Sequence, residues 1–265
     1  MTKEMTIRIL TFDVIEISES WTSLNNCSSF WRLYLNSEAT ASILFGQTEH
    51  KISPGYFHLI PAWTQFSCYN TGVTGHFFLH FDLMGIPGAL IRKYWPMPVK
   101  LSSRVSYSKV AQNLKRDQRG ELLARYTRVN ELVYSALTEL FESLPLQTML
   151  ELEHLLQGHL RFTGLIEHVE SCLSQPLQNA DLAKICYMSE GHFVRSFTKA
   201  FGQSPAKYVQ ERRIAKASEL LSFTDLSIEA ISQQCGFSNR FHFSRIFKQI
   251  IGFPPAAYRL CRTTI

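Results

Sequence analysis

Residues 192–208 read HFVRSFTKAFGQSPAKY and residues 242–258 read HFSRIFKQIIGFPPAAY. A shift of fifty positions pairs His192 with His242, Phe193 with Phe243, Arg195 with Arg245 and Phe197 with Phe247. It goes on to pair Gly202 with Gly252, Pro205 with Pro255, Ala206 with Ala256 and Tyr208 with Tyr258. Upstream, a shift of forty-nine pairs Cys186 with Cys235 and Ser189 with Ser238. The one-residue difference falls in a turn, where length changes are tolerated. Each copy predicts a helix, a tight turn, a second helix and a Gly-x-x-Pro stop. In the first copy the helices cover Asn179–Cys186 and Glu190–Phe201, around a turn at Tyr187–Ser189. In the second, Ser227 is an N-cap, the first helix runs Ile228–Cys235, Gly236 breaks it, and Asn239–Ile251 follows. This is the layout of a helix-turn-helix unit, present twice.

The second helix of each copy has two faces. Phe193, Phe197 and Phe201 recur every four residues and predict a buried stripe, as do Phe243, Phe247 and Ile250. The other face carries Glu190, Gly191, Val194, Arg195 and Thr198 in the first copy. In the second it carries Arg240, Phe241, Ser244, Arg245 and Lys248. The phenylalanines are core. The chemistry lies opposite them, where an arginine returns at one helical position in both copies. A guanidinium there reaches guanine O6 and N7 in a bidentate pair, or a phosphate. Charge agrees with this. Residues 161–265 hold thirteen Lys/Arg against eight Asp/Glu, while the first 160 hold fourteen of each, so the whole net charge of +5 lies in the C-terminal part.

The rest of the chain divides by periodicity. From Ile7 to Leu101, short runs at Phe30–Leu35, Ser42–Phe45, Tyr56–Ile60, Phe66–Tyr69 and Gly75–Leu83 predict strands of a sandwich or small barrel. The segment GIPGALIRKYW after Met84 predicts a turn and a short helix. From Tyr107 to Leu160 apolar residues recur at helical spacing: Leu132, Leu137, Leu140, Phe141 and Leu144, then Leu150, Leu152, Leu155, Leu156 and Leu160. The expected class is α+β. Residues 1–105 are expected to form a strand-rich domain, 106–160 a helical connector and dimerisation segment, and 161–265 an all-α domain with two helix-turn-helix units.

Residues 162–265 resemble the DNA-binding domain of the AraC/XylS family of transcription regulators. The resemblance rests on DLAKICYMSEGHFVRSFTKAFGQSPAKYVQERRIAKASELL and SIEAISQQCGFSNRFHFSRIFKQIIGFPPAAYR, above all on Cys235–Ser238, Phe243–Lys248 and Gly252–Pro255. It implies seven helices, with a long helix near Ala206–Leu221 joining the two units. The two recognition helices would enter successive major-groove segments. The N-terminal region resembles the family's cupin-like β-barrel sensor through Pro54–Pro61 and the strand His76–Asp82.

The site expectations follow. Glu190, Gly191, Val194, Arg195, Asn239, Arg240, Phe241, Ser244 and Arg245 are base-contacting candidates, and Thr198, Lys199, Ser204 and Lys248 phosphate-contacting ones. Phe241, four residues before Arg245, has no hydrogen bond to offer, and its natural partner is the C5-methyl group of thymine. Trp31, Arg32, Tyr34, His58, Trp63 and His80 are expected to line an effector site for a small polar metabolite such as a sugar. The expected partners are promoter or operator DNA, that effector, a second copy of the chain through the stripe Leu152, Leu155, Leu156, and RNA polymerase if the protein activates.

Several classes are disfavoured. The six cysteines form no C-x-x-C or C-x-C pair, which suits neither zinc nor a redox motif, and they read as reduced thiols. His76 and His80 share a face, but no Glu follows at a suitable distance, so neither a metal nor a cofactor is expected. A cupin-type enzyme with an accessory DNA-binding module would need a metal triad or a paired acid and base, which the sequence does not offer. A repair factor carrying a zinc-cysteine domain would need four clustered cysteines. No leader pattern and no run of eighteen apolar residues appears, so a cytoplasmic protein is expected.

Overall fold

The computed structural model describes residues 6–84, 86–115 and 122–260. The chain forms two compact units. One holds residues 7–84 and 95–145. The other holds the short helix α1 (Gly88–Tyr94) together with everything from Leu146 to Leu260.

The first unit contains β1 (Ile7–Ile17), β2 (Ser23–Asn26), β3 (Trp31–Asn36), β4 (Ala41–Phe45) and β5 (Thr48–Lys51). It continues with β6 (Tyr56–Ile60), β7 (Phe66–Asn70), β8 (Thr74–Leu83) and β9 (Val99–Arg104), then α2 (Tyr107–Lys115) and α3 (Leu122–Glu142). All strand pairs are antiparallel, in a five-stranded sheet of order β1-β8-β3-β6-β9 and a four-stranded sheet of order β2-β7-β4-β5. The two sheets face each other as an unclosed, cupin-like barrel.

Strand alternation decides what lies between the sheets. Tyr34, Ile60 and Phe78 of the larger sheet meet Ala41, Ile43, Phe66 and Cys68 of the smaller one, with Ile17, Trp21 and Ile52 completing the cluster. The opposite face of the larger sheet is also apolar. There Trp31 stacks on Phe81 at 6.2 Å and meets Trp95 edge-on at 5.7 Å, and Trp95 meets Phe141 of α3 at 5.7 Å. The buried stripe of α3 is Val129, Val133, Ala136, Leu137 and Leu140.

The second unit contains α4 (Leu146–Leu160), α5 (Thr163–Ser171), α6 (Asn179–Ile185), α7 (Glu190–Phe201) and α8 (Pro205–Phe223). It ends with α9 (Ile228–Gln234), α10 (Arg240–Ile251) and α11 (Pro255–Leu260). From residue 163 to 260 these are the seven helices that the resemblance implies. Segment 106–160 divides between the units at Pro145. Helix α4 lies on α7: His159 stacks on Phe201 with centroids 4.0 Å apart, and its Nε2 bonds the Ala200 carbonyl oxygen at 2.7 Å.

Candidate nucleic-acid interface

Each helix-turn-helix unit is fixed by its phenylalanines. Phe193, Phe197 and Phe201 are fully buried with Phe162, Leu182 and Tyr208. In the second unit Phe243 and Phe247 are fully buried. Their companions there are Ile246 and Ile251, while Ile250, expected in the stripe, is only partly buried. The stops behave as the Gly-x-x-Pro pattern predicts. Gly202 (φ 67°) and Gly252 (φ 101°) end α7 and α10 in the left-handed region. Ser204 and Pro205 then start α8, with Ser204 Oγ accepting from Lys207 N at 3.3 Å.

The two units are tied together by more than α8. Arg213 of α8 donates to the carbonyl oxygens of Leu173 (3.0 Å) and Gln175 (2.7 Å), just ahead of α6. Gly236, in the turn of the second unit, packs against the same place: a Cβ on it would stand 2.3 Å from Leu173 O and 2.9 Å from Arg213 Nη2. Glu211, also on α8 and buried, accepts from Arg92 of α1 at 2.9 Å and from Gln203 at 2.9 Å. Arg212 is bonded to Glu170 of α5, at 3.2 Å for its Nη2. These ties hold the second helices of both units in one body.

On that body, Glu190, Gly191, Arg195, Thr198 and Lys199 of α7 are exposed, and so are Arg240, Phe241, Arg245 and Lys248 of α10. Arg195 and Arg245 therefore sit on the solvent face opposite the phenylalanine core, at equivalent positions. Arg195 lies over the bare backbone of Gly191, its Nη1 3.5 Å from where a Cβ would be. In α10 the equivalent position is filled by Phe241, which is 75% exposed and carries the Arg240 guanidinium 5.2 Å from its ring centre. A phenylalanine that exposed contributes little to the core, in keeping with its helical phase.

Four of the expected DNA contacts are placed differently. Val194 is half-buried and packs against the core of its unit rather than standing clear as a base reader. Asn239 is the N-cap of α10: its Oδ1 accepts from Phe241 N (3.1 Å) and His242 N (2.8 Å), and its Nδ2 donates to Ser238 Oγ at 3.5 Å. Ser204 is likewise engaged as a cap, and Ser244 is half-buried.

The expected effector residues do not form one cluster. Arg32, Tyr34, His58 and His80 alternate onto the interior face of the larger sheet, and all four are buried. Trp31 does not join them. It points to the opposite face, because neighbouring residues of a strand face opposite ways. Trp63 is half-buried in a left-handed turn (φ 65°), its N–H donating to the Ser28 carbonyl oxygen at 2.6 Å. His58 Nε2 accepts from Ser53 N at 2.9 Å and borders a cleft of about 390 Å³ with Glu49, Lys51 and Lys100. His76, not among the expected residues, also faces the interior, with its Nδ1 2.7 Å from Asn36 Oδ1. Its membership was legible from the His76/His80 spacing. Among the described residues no three His, Cys, Asp or Glu side chains group in a way that could hold a metal ion.

The geometry agrees with what the chain resembles. The helix-turn-helix domain family HTH_18 matches residues 182–260, which takes in both units. The HTH-type transcriptional regulator YfiF of Bacillus subtilis (strain 168) is 40% identical over 92 residues, 35% of this chain and 29% of the relative. The MmsAB operon regulatory protein of Pseudomonas aeruginosa is 32% identical over 128 residues, 48% of this chain and 40% of the relative. The chain thus spans less than half the length of these curated relatives. A crystallised transcriptional regulator with an AraC-type DNA-binding domain, from Chromobacterium violaceum, is 31% identical and covers 39% of this chain and 93% of that one, with a TM-score of 0.38. ToxT from Vibrio cholerae covers 96% of this chain and 98% of its own, at 12% identity and a TM-score of 0.53, a likeness of fold.

Fold and surface together define a protein that carries a cupin-like sheet domain and two helix-turn-helix units. The chain belongs to the AraC/XylS family of transcription regulators.

Proposed function

We propose that this chain is a sequence-specific regulator of transcription that binds double-stranded DNA with both helix-turn-helix units and answers to a small organic effector held by the sheet domain. The observation that carries the reading is the repeat of Arg195 and Arg245 at equivalent exposed positions on two helices fixed in one body. The named relatives are transcription regulators, which supports this class over a cupin-type enzyme. No described helix is long and apolar enough to cross a membrane.

Selection of the full chain on a random duplex library tests the reading. The enriched site should contain two short elements about one helical turn apart, roughly 10 base pairs centre to centre. On that site Arg245→Ala should weaken binding by about 1–3 kcal/mol and relax the base preference it serves. Phe241→Ala should lose discrimination between thymine and uracil at one position while melting close to the parent protein. No enrichment above a non-specific duplex would overturn the assignment.

A homodimer also belongs to the proposal, but not through the stripe expected from sequence. Leu152 is 1% exposed, and the side chain of Leu155 lies outside the described residues. Helix α3 presents a group of exposed apolar side chains, Leu122, Leu123, Tyr126 and Tyr134, while α4 exposes Leu146, Leu150 and Leu160. Sedimentation at micromolar protein should show twice the 30.5 kDa chain mass. Leu123→Glu with Tyr126→Glu should return it to the monomer. A parent protein that sediments only as monomer would remove this part of the proposal.

A further inference from the structure

We infer that α4 belongs to the DNA-binding surface: Arg161 at its end, across a cleft from Lys199 of α7, holds the phosphate backbone on one side of the first recognition helix. The inference rests on the DNA-binding reading above. It adds to that reading an element that lies outside the matched residues 182–260.

A helix about 10–12 Å across fills a major groove about 12 Å wide, so its flanks face the two phosphate walls while its outer face reads bases. On α7, His192 lies three residues before Arg195 and Lys199 four after it, so both stand beside Arg195 on the exposed side. One step further round the helix, a cleft of about 450 Å³ runs between α7 and α4. His154, Gln157 and Arg161 form one wall, and His192, Ser196 and Lys199 the other. No Asp or Glu lines it. Arg161 and Lys199 are exposed, and among the described residues neither side chain is hydrogen-bonded or ion-paired. The cleft therefore carries two permanent positive charges and no negative one.

Packing holds the two walls in place. His159 stacks on Phe201 at 4.0 Å and bonds the Ala200 carbonyl oxygen, and a Cβ on Gly158 would touch Ala200 Cβ at 3.4 Å. Phe162, 1% exposed, closes the floor. The cations thus stand on a fixed helix crossing. Phosphate oxygens accept from guanidinium and ammonium groups, and such contacts position a protein on the duplex without reading sequence. The repeat supplies a comparison. Where the first copy has Ser196 and Lys199, the second has the buried Ile246 and the uncharged Gln249. A basic flank is therefore no requirement of the helix-turn-helix fold. It occurs in the copy that α4 covers. The cleft shares its α7 wall with the face that carries Arg195, which favours the DNA backbone over a free phosphorylated molecule.

The test titrates the full chain with its selected duplex and with an unrelated one, between about 50 and 200 mM salt. Arg161→Gln and Lys199→Gln should each lower the slope of log K against log salt by about 0.9, and the pair by about 1.8. Each change should weaken binding about tenfold at 0.1 M salt, on both duplexes alike, and leave the base preference unchanged. Arg161→Lys keeps the charge and should keep the slope, which separates loss of charge from loss of folding. Neutral methylphosphonates placed one at a time beside the first element locate the contact. One of them should weaken the parent and leave the double variant unaffected. An Arg161→Gln protein with the parent's slope would overturn the inference, even if Lys199→Gln lowers it, because α4 then takes no part. Unchanged slopes with a melting temperature that inorganic phosphate raises in the parent alone would also overturn it, and would mark a site for a free anion. A parent that binds the unrelated duplex but selects no site sinks the regulator reading, while the slopes still decide the role of α4. A selective parent whose slope neither variant changes sinks only the α4 contact.

Discussion

Acidification from pH 8 to pH 5 should destabilise the sheet domain by about 4 kcal/mol through His58 and His76 alone. Burial holds His58 down to about 4 and His76 down to about 3, against an ordinary 6.5. Both are neutral in the folded protein. His58 Nε2 receives the Ser53 N–H, and His76 gives its Nδ1–H to Asn36, leaving Nε2 buried without a bonded partner. A folded-state pKa below the unfolded one means that the unfolded chain binds protons first. The stabilisation is complete above about 6.5 and falls as pH drops, by about 1.4 kcal/mol per unit for each group until its folded pKa is reached. His80 is also held well below its ordinary value, by burial first and then by Arg32 and His76, and adds to the loss. Urea melts followed by tryptophan fluorescence at pH 8, 6.5 and 5 measure the effect. Curves that superimpose from pH 8 to 5 would mean that these imidazoles are not buried as described.

Gly236→Ala should cost about 2–5 kcal/mol of stability in the DNA-binding unit. Gly236 sits at φ 74°, where an L-residue pays roughly 1–2 kcal/mol. The new Cβ would also stand 2.3 Å from the Leu173 carbonyl oxygen, a backbone atom, so the contact between the two units has to open at overpacking cost, roughly 1–3 kcal/mol. The first unit supplies the control. There the equivalent turn position is Tyr187, also left-handed at φ 54°, but 99% exposed. Tyr187→Gly should therefore leave stability unchanged or slightly raised. Thermal melts of the two variants separate crowding from backbone strain. If Gly236→Ala melts with the parent, the packing of Gly236 on Leu173 is wrong.

What was legible in the sequence had short-range causes. The helix boundaries of both units were readable because caps and stops are local: Ser227 accepts from Ala230 N at 3.1 Å, as an N-cap should. The strand Tyr56–Ile60 was read to the residue, and β3, β4, β7 and β8 to within one. Strands β1, β2, β5 and β9 were not named. In β1, Ile7–Ile17, most positions are only half-buried, so apolar alternation is blurred. Strand β5, Thr48–Lys51, is polar and lies at a sheet edge.

The site was legible where helical phase decides exposure, as for Arg195, Arg245 and Phe241. It was not legible where tertiary contacts decide. Val194 leans on a core built from other helices. Trp31 was grouped with its neighbour Arg32 although strand alternation separates them. The division of segment 106–160 at Pro145 follows from α4 packing on Phe201 and Ala200, some forty residues away in sequence.

The account's central claim is that both units read DNA as one rigid pair. The most direct measurement is the affinity of the full chain for its selected duplex against the same duplex with half a helical turn, about 5 base pairs, inserted between the two elements. The insertion rotates one element to the far side of the helix, and the ties among Arg213, Leu173 and Gly236 do not let the units follow. Affinity should fall to nearly that of a non-specific duplex at the same salt concentration. Equal affinity for the two duplexes would contradict the claim.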